Sequence, residues 1–146
     1  MKISIGNDHA GTGLRHPLIE HLEAEGHTLI DHGTKDHESV DYPDFAQTVG
    51  HDVASGKADF GVLICSTGIG MSISANKVKG IRAALVYNED AAEFSRKHNN
   101  ANVICMGKKY QDGDSACKLV DIFLKTSFEG GRHERRVEKI EAEETL

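Results

Sequence analysis

The chain has no tryptophan, two prolines, three cysteines and 5% aromatic residues in 146 positions. Each shortage removes a class of protein. No apolar run approaches the roughly 20 residues that a membrane helix needs, so no membrane span is expected. Cys65, Cys105 and Cys117 are odd in number and lack paired spacing, which argues against a disulfide framework or a zinc site. The net charge of −6 disfavours a general nucleic-acid or membrane-surface binder. Anionic small molecules stay open, because a local cluster of donors outweighs a distant net charge. Met1 to Gly6 lack a basic stretch followed by a long apolar one, so they read as a strand and not a signal peptide. A cytoplasmic protein is the expectation.

What is present is ordinary for a soluble globular protein: 38% hydrophobic and 27% charged residues. The length suits one domain, 1–146, with a real core. Nine histidines are many. His16, His21, His27, His32, His37 and His51 are scattered and read as solvated surface.

Short apolar runs alternate with helical patterns throughout. Ile3 and Ile5 mark a first strand. Leu14, Leu18, Ile19 and Leu22 repeat at helical spacing and Gly26 ends that helix. Pro17 predicts a start later than Leu14. Thr28 to Asp31 is a second strand. Phe45, Ala46, Val49, Val53 and Ala54 share one helical face, stopped at Gly56. Strands are expected at Phe60 to Ile64, Ile81 to Tyr87 and Asn102 to Met106. Helices are expected from about Ile69 to Val78 and from Glu89 to His98. A further helix, capped by Asp114, carries an apolar face of Ala116, Leu119, Val120, Phe123 and Leu124. The tail after Gly130-Gly131 reads as a charged helix.

This alternation predicts an α/β protein: a three-layer α/β/α Rossmann-like fold with a five-stranded parallel sheet and a C-terminal helical tail. Ligands of such sheets bind beyond the carboxyl ends of the strands. Asn7-Asp8-His9, Cys65 to Gly70 and Lys108-Lys109 fall there. The second of these is the most informative. It puts a thiol at the end of a buried strand and just before a helix, where backbone N–H groups and the helix dipole favour negative charge. Thiols in such places react as thiolates. Thr67 adds a hydroxyl, and Gly68 and Gly70 allow close approach to N–H groups, the parts of an oxyanion hole. Cys105 and Cys117 read as small buried hydrophobes.

Several familiar assignments fail. Gly68-Ile69-Gly70 is followed by Ile73 where a dinucleotide fingerprint needs Gly or Ala, and Gly11-Thr12-Gly13 has His16 at that place. No phosphate-binding loop ending in Gly-Lys-Ser/Thr exists. A cysteine phosphatase needs arginine where Met71 stands. Arg132 and Arg136 are four apart on one helical face, placed to grip a phosphate or to join a salt-bridged tail with Glu134 and Glu138. Thiolate, N–H donors, histidine and arginines together suit proton transfer next to a carbonyl in a phosphorylated sugar.

From Lys2 to about Ile140 the chain resembles the ribose-5-phosphate isomerase B family, which includes the galactose-6-phosphate isomerases. The carriers are seven ordered blocks: Asn7-Asp8-His9-Ala10-Gly11, Asp41-Tyr42-Pro43, Ile64-Cys65-Ser66-Thr67-Gly68-Ile69-Gly70, Ser74-Ala75-Asn76-Lys77, Gly80-Ile81-Arg82-Ala83, Arg96-Lys97-His98-Asn99 and Glu129-Gly130-Gly131-Arg132-His133. The resemblance implies aldose–ketose isomerisation through an enediolate, without metal or organic cofactor. It implies Cys65 as the proton-shuttling base, Thr67 and the N–H groups of Ser66, Gly68, Ile69 and Gly70 as the enediolate cradle, and His98 as proton donor in ring opening. Asp8 would bind sugar hydroxyls and His9 the phosphate end. Asn99 would touch substrate, Tyr42 would line the pocket, and Lys109, Arg132 and Arg136 would bind phosphate. The resemblance also implies a homodimer or a dimer of dimers with sites shared between subunits.

With Cys65 present and Met71 where a second branch carries glutamate, the chain resembles the thiol branch. Ser66 stands where glycine is usual, Lys109 where many members have arginine, Asn100 where aspartate is common, and Thr12-Gly13 in place of a bulkier apolar pair. The expected substrate is ribose 5-phosphate, giving ribulose 5-phosphate. The alternatives are allose 6-phosphate, galactose 6-phosphate or a tetrulose phosphate. A non-catalytic phosphosugar-binding domain is the rival from another class; an intact Cys65, Thr67 and His98 set speaks against it.

Overall fold

The computed structural model describes residues 1–145. Five strands, β1 (Lys2–Asn7), β2 (Thr28–Asp31), β3 (Phe60–Cys65), β4 (Ala83–Leu85) and β5 (Val103–Gly107), form one parallel sheet in the order β2-β1-β3-β5-β4. Six α-helices accompany them: α1 (Thr12–Ala24), α2 (Tyr42–Ala54), α3 (Ile69–Ala75), α4 (Glu89–Lys97), α5 (Gly113–Lys125) and α6 (Arg132–Ala142). The expected three-layer fold with its helical tail is the observed one.

The period of two in the strands sorts their side chains into two cores. Ile3, Ile5, Val62, Ile64, Ile104 and Met106 face α1, α4 and α5. Leu63, Cys65, Val103 and Cys105 face α2 and α3. Phe123, Leu14, Leu18 and Leu22 are fully buried, each such side chain stabilising the fold by about 1.5–3 kcal/mol. Among the described residues no helix is long and apolar enough to cross a membrane.

Topology sets where ligands can sit. The connection after β1 turns into α1 on one face, and the connection after β3 turns into α3 on the other. The loops therefore diverge, opening a crevice at the carboxyl ends of β1 and β3. A similar divergence separates the exits of β3 and β5. The helices then run back, so their carboxyl ends lie at the opposite, amino edge of the sheet.

Four expectations about elements need correction. Helix α1 begins at Thr12 with Pro17 inside it. The short 3-10 turn His9–Gly11 leads directly into it, and buried Leu14 and Leu18 hold it against the sheet despite the lost hydrogen bond. The cap of α5 is Asp112 and not Asp114: Asp112 accepts from Ser115 N–H while the Ser115 hydroxyl accepts from Asp112 N–H. Strand β4 is only Ala83–Leu85, because it is an edge strand with β5 as its single neighbour. Helix α3 stops at Ala75, short of Val78.

The histidines also depart from expectation. His21, His27 and His32 are half-buried and lie beside carboxylates, His21 against Asp121 and Glu25, His27 against Glu25 and His32 against Asp52.

Candidate active site

Cys65 ends β3, and its side chain is 5% exposed. Beneath it, Met71 and Cys105 fill the core. Burial, and then the neighbouring Cys65, push the Cys105 thiol well above its ordinary value, which makes it an inert partner. The turn that follows is held tightly against β5. Lys108 N–H donates to the Cys65 carbonyl and Lys109 N–H to the Ser66 carbonyl, both at 2.9 Å. Gly68 has φ +82°, and a Cβ there would lie 2.6 Å from Leu85 Cδ1 and 2.9 Å from the Met106 carbonyl carbon. A Cβ at Gly107 would lie 2.6 Å from the Thr67 carbonyl carbon. Only glycine at these two places lets the turn settle on the strand ends.

The turn aims one backbone N–H at the sulfur. Gly68 N–H donates to Cys65 Sγ at 3.2 Å. Ile69 N–H donates to the Thr67 hydroxyl oxygen at 3.2 Å, which leaves the hydroxyl proton free to donate elsewhere. The Tyr42 ring lies against Gly70, where a Cβ would be 2.6 Å from ring carbons. Ser66 is exposed.

Asp8 and His9 leave β1 beside this turn, and Asp8 N–H donates to the Ile64 carbonyl. The Asp8 carboxylate accepts from Ala10 and Gly11 N–H, so one of its oxygens serves the following turn. A Cβ at Gly11 would lie 2.7 Å from the Ile64 carbonyl oxygen, so the two loops touch. His9 Nδ1 accepts from Val40 N–H at 3.2 Å, which assigns the ring proton to Nε2. Lys108 and Lys109 complete this edge from β5, with exposed side chains. Asp8, His9, Tyr42, Cys65, Ser66, Thr67, Gly68, Ile69, Gly70 and Lys109 thus share the carboxyl edge.

His98, Asn99, Arg132 and Arg136 do not. His98 is the C-cap of α4 and leads, through Asn99 to Asn102, into the amino end of β5. Arg96 anchors this corner. It is 9% exposed, donates to the Thr126 and Ala101 carbonyls and to Asn100 Oδ1, and lies over the Phe60 ring. Asn100 has φ +47°, the one non-glycine residue with positive φ among those described. Asparagine tolerates that conformation and supplies the acceptor for Arg96, so this departure from the resembled pattern keeps the corner intact.

The His98 ring stacks on His133 with centroids 4.1 Å apart and planes 12° from parallel. His133 is 6% exposed, and its Nε2 is 3.7 Å from Glu129. Burial, then the His98 ring and Arg132, hold His133 below the ordinary histidine value, so it is neutral at neutral pH. Its role was invisible in the sequence beyond its place in the Gly-Gly-Arg-His block. Arg132 and Arg136 open α6 and are exposed. A cavity of about 740 Å3 opens at this amino edge, lined by Asn76, Lys77, Arg82, Asn99, Ile140 and Glu144 among others.

Among the described residues, two groups of side chains bring potential metal ligands within 4.8 Å of one another: His98, Glu129 and His133, and His21, Glu25 and Asp121. Ring stacking and the His133–Glu129 pair account for the first. The bonds from His21 to Asp121 and Glu25 account for the second.

Sequence reasoning also missed Tyr87. It follows β4 closely and its hydroxyl reaches the Thr67 carbonyl at 3.1 Å. The rule that singled out Asn7 and Cys65, position just past the carboxyl end of a strand, applies to it equally.

Comparison with known proteins finds close relatives of this chain and its fold. The family model described as Ribose/Galactose Isomerase matches residues 3–140. The ribose-5-phosphate isomerase B of Escherichia coli K12 is 45% identical over 141 residues, 97% of this chain and 95% of that protein. The structure of Clostridium thermocellum ribose-5-phosphate isomerase B superposes with a TM-score of 0.97 at 48% identity, over 99% of this chain and 98% of that one. The Mycoplasma genitalium ribose-5-phosphate isomerase B, solved with bound ribulose-5-phosphate, gives 0.95 at 43% identity, over 99% and 96%.

Proposed function

This chain belongs to the ribose/galactose isomerase family, and from that premise we propose that it interconverts ribose 5-phosphate and ribulose 5-phosphate through an enediolate. The observation that carries the reading is the Cys65 sulfur facing the Gly68 N–H at the end of β3, with the Thr67 hydroxyl beside it. The names of its relatives support the choice of a five-carbon substrate.

In this reading the Cys65 thiolate takes the proton from C2 of the open-chain aldose. Electrons move into the carbonyl, and the resulting oxyanion is met by the Thr67 hydroxyl and by N–H groups of the Ser66–Gly70 turn other than those of Gly68 and Ile69, which serve the sulfur and the Thr67 hydroxyl. The same sulfur returns the proton to C1 while the hydroxyl proton passes from O2 to O1, giving the ketose. His9 Nε2–H and Lys109 attract the anionic substrate, Asp8 accepts from sugar hydroxyls, and Tyr42 closes one wall. His98 donates the proton that opens the furanose ring. Asn99 touches the substrate, and Arg132 and Arg136 hold the phosphate end.

These last four residues sit at the other edge of the sheet from Cys65, so the reading requires a second copy that brings its amino edge against this carboxyl edge. A homodimer, or a dimer of dimers, with shared sites meets that requirement. Apolar exposure near the open β4 edge supports it: Ile69, Ile73, Phe94 and Ile140 are 46%, 58%, 42% and 51% exposed.

The test is a coupled assay with purified protein and a panel of phosphorylated aldoses of four to six carbons, without added metal. The highest kcat/KM is expected for ribose 5-phosphate. A higher value for a six-carbon phosphoaldose would move the assignment, and no turnover of any member would end it.

A further inference from the structure

The peptide unit between Thr67 and Gly68 is gripped at both ends. Its N–H donates to Cys65 Sγ at 3.2 Å, and its carbonyl accepts from the Tyr87 hydroxyl at 3.1 Å. One flat, rigid group therefore links a tyrosine on the β4–α4 connection to the sulfur at the end of β3. Rotation of that plane would carry the N–H away from the sulfur.

Tyr87 is itself fixed. Buried Gln111 donates from Nε2 to the Tyr87 carbonyl at 3.1 Å. The Tyr87 ring packs on Tyr110, with centroids 4.7 Å apart and planes at 45°. Tyr110 comes from the β5–α5 connection, next to Lys109, whose N–H holds the Ser66 carbonyl. The pair thus ties two loops to the turn. Partial burial, then Tyr110 and Cys65, push the Tyr87 hydroxyl above its ordinary value. It stays a protonated donor across the neutral range.

We propose that Tyr87 is a positioning residue for the Cys65 base, acting through the Thr67–Gly68 peptide. The proposal rests on the assignment of Cys65 as base. A donor on the carbonyl holds the plane and polarises the amide, which strengthens the N–H that faces the sulfur. The negative charge of a thiolate is thereby favoured without any contact between Tyr87 and substrate.

Tyr87→Phe keeps the ring on Tyr110 and removes only the hydroxyl. On a Cys117→Ser background, with Cys105 fully buried, iodoacetamide alkylation reports Cys65. The pH midpoint of that alkylation is expected to move upward in Tyr87→Phe. The kcat for the phosphoaldose is expected to fall roughly three- to tenfold, the worth of one hydrogen bond, with KM little changed. Gln111→Met, which loosens Tyr87 without touching Thr67, should move both readouts the same way by less.

An unshifted alkylation midpoint in Tyr87→Phe overturns the proposal, as does a raised KM with unchanged kcat, which would make Tyr87 a pocket wall only. Alkylation needs no substrate, so the two readings separate. A shifted midpoint in a protein that isomerises no sugar removes the proposed function and with it the base, and leaves Tyr87 as a support of the Cys65 thiolate alone. Full isomerase activity with an unshifted midpoint does the reverse.

Discussion

Cys65 and His98 lie at opposite ends of the same sheet. Cys65 closes β3, six residues long, whereas His98 ends α4 just before the entry of β5. At ~3.3 Å per strand residue, one sheet length, on the order of 20 Å, separates the two edges. No side-chain rotation spans that, so one chain cannot bring the proposed base and the proposed ring-opening acid onto one sugar.

Subunit complementation follows. Cys65→Ala and His98→Ala should each lose activity alone. Unfolded together and refolded as a mixture, they should recover up to about a quarter of the normal rate, because half the dimers are hybrids and each hybrid keeps one intact shared site. Light scattering on the unmodified protein should give a dimer or a tetramer. A monomeric, fully active protein would refute shared sites.

Cys65→Ala removes only the sulfur from a well-packed turn. A proton-transfer group contributes about 10²- to 10⁴-fold. Steady-state assays should therefore show kcat reduced in that range, while calorimetric titration shows ribulose 5-phosphate still binding. Turnover near normal would exclude the sulfur as base.

Much of this was legible in the chain. Alternating strands and helices follow from hydrophobic period, and Thr28 to Asp31 and Glu89 onward needed no correction at their starts. The turn at Cys65 stood out because glycine, hydroxyl and thiol coincide where a strand ends. What eluded pattern reading depends on neighbours distant in sequence. The cap of α5 moved from Asp114 to Asp112 because the reciprocal partner, Ser115, fixes the register. Pro17 was accommodated by packing that local propensity does not contain. His98 and Cys65 were grouped by chemistry, and only the direction of the helices, which run back to the amino edge, separates them. Tyr87 joined the site through a carbonyl, a contact with no sequence signature.

Gly68→Ala tests how rigid the turn is. The φ of +82° alone costs a side chain about 1–2 kcal/mol, and the new Cβ would press on Leu85 and the Met106 backbone. Urea unfolding should show a loss above that figure. Activity at saturating substrate should fall further than the unfolded fraction explains, because the N–H that faces the sulfur moves with the chain.

Arg132→Ala separates binding from chemistry. Arg132 is exposed at the start of α6, remote in its own subunit from the Cys65 turn. If it grips phosphate, its loss should raise KM by about tenfold or more while kcat stays within a few-fold. An unchanged KM would remove Arg132 from the site.

Asp52 gives a prediction about stability that is independent of the site. It is 8% exposed on α2 and accepts from the fully buried Ser4 hydroxyl at 2.9 Å, with His32 Nε2 2.7 Å away. Burial alone would raise its carboxyl. The bonds from His32 and Ser4, with the charges of His32 and Lys57, outweigh burial and hold it below the ordinary value. A carboxyl depressed in the folded state adds stability that is fully present above its unfolded value, about pH 4, and is lost as pH falls through the folded value. Asp52→Ala should therefore cost stability at neutral pH, by about 1–3 kcal/mol with Ser4 left unpaired. The difference between variant and parent should shrink below about pH 4. Urea midpoints measured from pH 7 to pH 3 would check both parts, and a difference independent of pH would mean that the charge on Asp52 contributes nothing.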